Sequence, residues 1–157
     1  MAASSYIANL AKGFVNGGSN FCYWSSTTAS FYITLVSNNY IPNEDDVFAS
    51  AFSGAELGAA SFTSGFNGTI RISMTSRTLN INTTNNTAEF RAALVSWPGI
   101  AAANGTAHAF IVVHQAGSDG TSPIVTYNSL GGFPVTLTGT DLAISFPTSG
   151  VFTLIDF

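Results

Sequence analysis

Positive charge is scarce in this chain. Lys12, Arg71, Arg77 and Arg91 are the four basic residues among 157, and charged residues make up 8% of the sequence, against about 25% in a typical soluble domain. A nucleic-acid partner requires clustered cations to neutralise its phosphates. Because this chain has a net charge of −4 and no such cluster, we do not expect it to bind nucleic acid.

The remaining surface composition favours an assembly. The chain is 46% hydrophobic, and most of the rest is Ser, Thr, Asn and Gly. Hydroxyl, amide and small side chains pack against neighbouring proteins without the cost of desolvating charges. A protein built into an assembly is therefore predicted, and an ordinary uncharged β-domain is the alternative.

Cysteine and long apolar segments are also scarce. Cys22 is the single cysteine, so no disulfide can form within the chain, which suits synthesis in a reducing cytosol. The N-terminus has no charged region ahead of an apolar run, so no secretory signal is predicted. No stretch approaches the roughly 20 apolar residues of a membrane span, and we expect no membrane partner.

The N-terminal segment has helical periodicity. Apolar residues recur there at spacings of three and four, which predicts an amphipathic helix within residues 1–21. They are Tyr6, Ile7, Leu10, Ala11, Phe14 and Val15. Ser4 or Ser5 would cap this helix and Gly17-Gly18 would end it. Its apolar stripe would either dock on a neighbour or cover one end of its own domain.

A two-residue period dominates from residue 30 onward. Phe31–Val36 is apolar at successive positions, which predicts a strand covered on both faces. Eight or nine strands follow one another at spacings of 8 to 12 residues. We therefore predict one all-β domain over residues 1–157, with residues 30–157 forming an antiparallel β-sandwich or barrel. Its predicted inward set on one strand is Ala88, Phe90, Ala92 and Leu94, and its predicted core includes Phe110, Ile144 and Phe152.

Patterns of catalytic and metal-binding residues are missing from the sequence. There is no G-x-S-x-G elbow and no phosphate-binding glycine loop. His108 and His114 lie on one predicted strand, about 20 Å apart, which is too far for one metal ion to bridge. The acidic run 44–46 lacks the spacing of a calcium loop and is predicted to precede a short helix at 47–52. We expect no metal and no cofactor, and a pair of catalytic carboxylates contributed by distant strands stays open at this point.

Aromatic residues leave one binding function open. Tyr23, Trp24 and Trp97 are of the type that stacks on sugar rings, and β-sandwiches carry many carbohydrate-binding modules. A carbohydrate-binding module is therefore the competing prediction. Packing of these rings inside the fold is the simpler alternative.

The order of the motifs resembles a known protein family. After the strand at 31–36 comes a loop with the pattern Tyr40-x-Pro42-x-x-Asp45. The segment Gly117-Ser118-Asp119-Gly120-Thr121-Ser122-Pro123-Ile124 follows the apolar segment 107–113, and the chain closes on Gly150-Val151-Phe152-Thr153. In this order the chain resembles the small virion structural proteins of tailed bacteriophages, which are capsid decoration (cement) proteins or minor tail proteins.

The resemblance implies a non-enzymatic, jelly-roll-like β-sandwich over residues 30–157, which is made in the host cytoplasm and resides in the virion. A capsid decoration protein that binds the outer lattice is the leading prediction, and a minor tail protein is the alternative. The expected partners are the major capsid protein and further copies of the chain, as a homodimer or homotrimer. The candidate contact residues are Tyr6, Leu10, Phe14, Tyr23 and Trp24.

Overall fold

The computed structural model describes residues 5–7, 24, 29–43, 45–57, 71–82, 84, 87–100, 102–129, 131–146 and 152–155. Within these residues the chain forms twelve strands and three short 3-10 helices, and all of the strand pairings are antiparallel. The predicted all-β class is confirmed.

The strands form four sheets. In chain order they are β1 (Ser5–Ile7), β2 (Phe31–Val36), β3 (Ile72–Ser73), β4 (Thr78–Asn82), β5 (Thr87–Arg91), β6 (Val95–Trp97), β7 (Thr106–Ala107), β8 (Ala109–His114), β9 (Ile124–Asn128), β10 (Val135–Thr136), β11 (Leu142–Ile144) and β12 (Phe152–Ile155). The largest sheet has the order β1-β9-β8-β2-β3, a second has the order β12-β5-β4, and two small sheets pair β10 with β7 and β11 with β6.

The central strands of the five-stranded sheet are buried on both faces. Its two central strands, β2 and β8, pair over six residues, from Phe31 opposite His114 to Val36 opposite Ala109. The face that carries Ile33 packs into a main cluster with residues of β5 and β6. The opposite face, which carries Ile111, packs into a second cluster with the segment after β2. The prediction that β2 is covered on both faces is confirmed, and this double burial explains why β2 and β8 are almost continuously apolar.

Each cluster draws on distant parts of the chain. The main cluster includes Phe31, Ile33, Leu35, Ala88, Phe90, Val95, Trp97, Phe110, Val112 and Val125. The second cluster is Val36, Tyr40, Ala49, Phe52, Ala55, Ala109, Ile111, Val113, Ile124 and Tyr127.

Residues 5–7 form a strand and not the first turn of the predicted helix. Ser5, Tyr6 and Ile7 pair with Asn128, Tyr127 and Thr126 of β9. This pairing satisfies backbone groups along the edge of the five-stranded sheet, whereas a short isolated helix is marginal in water. The helix is thus not confirmed where the chain is described, and Leu10, Ala11, Phe14 and Val15 lie outside the described residues.

The segment after the first loop also differs from its prediction. In place of one short helix at 47–52, the chain forms two 3-10 helices, Ala49–Ala51 and Ser53–Ala55. The residue that caps the first of them is Phe48, which makes no side-chain cap hydrogen bond. Asp46 instead accepts a hydrogen bond from the Tyr40 hydroxyl at 2.7 Å, so this carboxylate closes the loop and does not cap a helix.

The predicted core residues are partly confirmed. Ala88, Phe90 and Phe110 are buried, and Ile144 is half-buried against the main cluster. The side chain of Phe152 lies outside the described part, although the backbone register sets position 152 opposite Phe90.

Leu94 was predicted to face inward, and that prediction is wrong. Its exposed fraction is 59%, because β5 ends at Arg91 and the two-residue alternation breaks before β6 begins. The third 3-10 helix, Ala102–Asn104, then leads into β7.

Candidate functional site

The residues predicted to contact a partner fall in different parts of the molecule. Tyr6 lies in β1, where its backbone pairs with Tyr127. Leu10, Phe14 and Tyr23 lie outside the described residues. Trp24 is buried, with an exposed fraction of 3%.

Trp24 is held inside the main cluster by its neighbours. Its ring meets those of Phe31 and Phe90 edge-on, with centroids 4.9 and 5.9 Å away. Its indole N–H donates a hydrogen bond to the Arg91 carbonyl at 2.8 Å, so the polar end of the ring is also satisfied. Trp97 is buried as well. Neither indole ring is presented at the surface for a sugar or a partner protein to stack on.

A cluster of charged side chains is buried against the five-stranded sheet. This group, called the Arg71 cluster, consists of Arg71, Glu56, Asp119 and Thr34. Arg71 donates from Nε to Glu56 Oε1 at 2.5 Å and from Nη2 to Glu56 Oε2 at 2.6 Å. It also donates from Nη1 and Nη2 to the two carboxylate oxygens of Asp119, at 2.7 and 3.0 Å. The Thr34 hydroxyl donates to Glu56 Oε1. One guanidinium therefore holds two carboxylates through two paired sets of hydrogen bonds.

The Arg71 cluster joins segments that are far apart in sequence. Glu56 follows the second 3-10 helix and pairs with Val36 in an isolated β-bridge. Asp119 lies in the turn between β8 and β9, and its carbonyl accepts a hydrogen bond from the Ser50 N–H at 3.2 Å. Gly117 opens this turn with φ +98°, a conformation that glycine adopts readily because it lacks Cβ.

The electrostatics of the Arg71 cluster support a structural role. Burial alone would lower the pKa of Arg71, but hydrogen bonds and charges from Glu56 and Asp119 outweigh it and raise that pKa above its ordinary value. The guanidinium carbon also lies 5.9 Å from the centre of the Phe52 ring, within the range of a cation–π contact. The guanidinium thus has counter-charges inside the fold, and its hydrogen bonds tie the 3-10 segment to the β8–β9 turn.

Arg77 is used in a different way, as a donor to backbone carbonyls. Its Nε donates to the Trp24 carbonyl at 2.8 Å, and its two terminal nitrogens donate to the carbonyls of Met74 and Ala29, at 2.5 and 2.6 Å. These acceptors lie in segments outside the named strands, so Arg77 supplies the hydrogen bonds that a sheet ladder would otherwise provide.

The Phe31 ring separates Arg77 from a histidine. The guanidinium carbon of Arg77 lies 4.9 Å from the Phe31 centroid, and the His114 ring lies 5.0 Å from the same centroid. Burial lowers the pKa of His114, and the charge of Arg77 lowers it further. The fold therefore favours the neutral form of this histidine.

Arg91 also donates hydrogen bonds within the chain, at a position nearer the surface. Its Nη2 donates to Glu89 Oε2 at 2.5 Å, and Asn80 Nδ2 donates to the same oxygen at 2.9 Å. These two hydrogen bonds, that of Asn80 first, lower the pKa of Glu89. All three arginines thus donate hydrogen bonds within the chain, Arg71 and Arg91 to carboxylates and Arg77 to backbone carbonyls.

The described residues contain neither a metal-ligand cluster nor a helix suited to span a membrane. No three His, Cys, Asp or Glu side chains there come close enough together to hold a metal ion. No helix in the described part has the length and hydropathy needed to cross a membrane.

Strand β4 presents apolar side chains to solvent. Leu79 and Ile81 have exposed fractions of 42% and 61%, although they stand opposite the buried Phe90 and Ala88 of β5. Among the described residues β4 is the edge of its sheet. The alternation of Leu79 and Ile81 in the sequence marks an apolar face without showing whether anything covers it.

Comparisons with known protein families, with curated proteins and with solved structures found no match for this chain.

Proposed function

We propose that this protein is a non-enzymatic structural protein of a tailed-bacteriophage virion, which binds the outer capsid lattice and reinforces it. The observation that carries the proposal is the internal use of positive charge. Arg71, Arg77 and Arg91 all donate to acceptors within the chain. The surface left for a partner is dominated by neutral polar and apolar groups, which pack with little desolvation cost.

The segment that follows one motif of the family resemblance meets another of the motifs in space. Phe48, just beyond the Tyr40 loop, forms a β-bridge with Pro123 of the Thr-Ser-Pro turn. The Ala49 N–H donates to the Ser122 carbonyl at 2.9 Å. Because these two segments support each other, their joint occurrence in one sequence has a physical reason. This supports treating them as a signature of one fold.

The finer architecture belongs to the same proposal. We take the chain as one domain over residues 1–157, with residues 30–157 forming a jelly-roll-like sandwich. Apolar clusters on both faces of the five-stranded sheet support this arrangement. A helix within residues 1–21 would have to begin after β1, and Leu10 and Phe14 remain the proposed anchor to the major capsid protein. Repetition around the shell would convert weak single contacts into avidity.

Binding to capsids that lack this protein tests the proposal. The purified chain should co-sediment with such capsids nearly equally at about 0.1 M and about 1 M salt, although the Debye length falls from about 10 Å to about 3 Å. No binding to capsids, together with recovery of the protein in purified tails, would move it to the minor tail class. Specific capture on a glycan array with no binding to capsids or tails would overturn the virion proposal.

Point variants test the anchor without removing β1. The double variant Leu10→Asp/Phe14→Asp should lose capsid binding and keep the wild-type denaturation midpoint. Leu94→Asp is the matched control, because it places the same charge at an exposed apolar position elsewhere. Unchanged capsid binding by the double variant would show that these residues are not the anchor, and a lowered midpoint would assign them to the core.

A further inference from the structure

Strand β4 has an unguarded edge. Its sequence, Thr78-Leu79-Asn80-Ile81-Asn82, contains no charged residue and no proline, which are the usual devices that stop an exposed edge from pairing with another chain. The pairings of the described residues place β5 on one side of β4 and nothing on the other. Arg77, which directly precedes β4, directs its guanidinium to backbone carbonyls of its own chain.

The apolar face of the sheet continues onto this edge. Leu79 stands opposite Phe90 and Ile81 opposite Ala88, and directly opposite residues share a face. Phe90 and Ala88 are buried, whereas Leu79 and Ile81 are exposed. The apolar face therefore reaches the edge at β4, where a further strand would give Leu79 and Ile81 apolar neighbours on the same face.

From these observations we infer that β4 is the contact between two copies of this chain, paired antiparallel about Asn80. This inference rests on the proposed function, because it names the homodimer contact of the virion protein. In this register Asn80 lies opposite its own counterpart, and each Leu79 lies opposite the Ile81 of the other copy. The contact is isologous, as a two-fold dimer requires, and it joins two three-stranded sheets into one of six strands.

The composition of the edge suits a second copy as the occupant. Two chains of net charge −4 repel each other overall, but β4 itself brings no charge to the contact. The nearest carboxylate on the polar face, that of Glu89, already accepts from Asn80 and Arg91 of its own chain. The new pairs are therefore amide with amide on one face and aliphatic with aliphatic on the other. Both kinds of pair stabilise neighbouring strands.

Sedimentation of the free chain tests the contact. The wild-type chain should sediment as a concentration-dependent dimer. Asn80→Lys should shift it to monomer over the same concentrations, because it sets two like charges directly opposite each other. Leu94→Lys, at an exposed apolar position outside β4, should remain dimeric. A wild-type chain that is monomeric or trimeric, or an Asn80→Lys variant that stays dimeric with an unchanged association constant, would overturn the inference.

Cysteine cross-linking tests the register. Directly opposite residues in an antiparallel pair have Cα atoms about 4.5 or 5.5 Å apart, within the range that a disulfide spans. Under mild oxidation Asn80→Cys should give a covalent dimer, in excess of any formed by the wild-type chain with its Cys22. Thr78→Cys lies opposite Asn82 of the other copy and should not. Equal cross-linking at both positions would exclude the proposed register.

Capsid binding separates this inference from the proposed function. A dimer that fails to bind capsids leaves the β4 contact standing and removes the decoration role. A chain that binds capsids as a monomer removes the β4 contact and leaves the decoration role standing. If the free chain is monomeric and Asn80→Lys abolishes capsid binding, β4 pairs with the capsid protein, and the inference of a second copy is wrong.

Discussion

Arg71 and Glu56 form a fully buried ion pair in which the guanidinium presents Nε and Nη2 to the two carboxylate oxygens, at 2.5 and 2.6 Å. The pair is notable in a chain where charged residues make up only 8% of the sequence. Two of the few charged side chains lie in the interior, where burying a charge costs the most free energy. Because each satisfies the other, together with Asp119 and Thr34, the cluster links the second 3-10 helix to the β8–β9 turn.

Removing the buried guanidinium should be strongly destabilising. Arg71→Met leaves the Glu56 carboxylate buried without a counter-charge, which costs about 3–5 kcal/mol of unfolding free energy. Arg91→Met is the matched control, because it breaks a partly exposed pair worth about 0–1 kcal/mol. Adding Glu56→Gln to Arg71→Met should recover part of the loss. Equal losses for Arg71→Met and Arg91→Met in urea denaturation would contradict the structural role of the Arg71 cluster.

Stability should fall on mild acidification because of His114. Its pKa in the folded state lies below the ordinary value of about 6.5, so the unfolded chain takes up this proton first as the pH drops. The stabilisation is fully present above about pH 6.5 and is lost as the pH falls towards the folded-state pKa. His114→Gln should flatten the slope of unfolding free energy against pH between about 7 and 5. His108→Gln is the comparison variant, because it removes the other histidine of the chain. Identical slopes for wild type and His114→Gln would show that the ring is not held neutral by the fold.

Tryptophan fluorescence should report two enclosed rings. Trp24 and Trp97 have exposed fractions of 3% and 1%. The native chain should therefore emit at short wavelength, resist quenching by acrylamide, and shift to longer wavelength on unfolding. Trp24→Phe isolates the signal of Trp97, and Trp97→Phe isolates that of Trp24. Ready quenching of Trp24 in the folded protein would place its ring at the surface and restore it as a contact candidate.

Two truncations of apolar side chains test that Phe110 is buried and that Leu94 is exposed. Phe110 is buried and its ring lies near those of Phe133 and Phe146, with centroids 6.0 and 6.2 Å away. Phe110→Ala should cost about 3–5 kcal/mol, because it removes burial and leaves a cavity. Leu94→Ala, at an exposed position, should change stability by less than about 0.5 kcal/mol. Similar losses for the two variants would mean that Leu94 is covered in solution.

Local pattern was sufficient to predict the burial of two individual strands, β2 and β5. The continuous apolar character of Phe31–Val36 predicted a strand buried on both faces, and the structure places it between two clusters. The alternation at Ala88 and Phe90 predicted their inward direction in the same way. Both signals arise within one element, since side chains of a strand alternate between two faces whatever lies beyond.

What covers each face, and which distant residues meet, was decided only by the tertiary structure. Ser5–Ile7 became a strand because the edge of β9 offered backbone partners, which outweighed a helical periodicity of marginal stability. Glu56, Arg71 and Asp119 are separated by 15 and 48 positions, and nothing in local spacing brings them together. The sequence by itself determined an all-β chain with few charges. The pairing of strands determined where those charges are buried and, among the described residues, set β4 at the edge of its sheet.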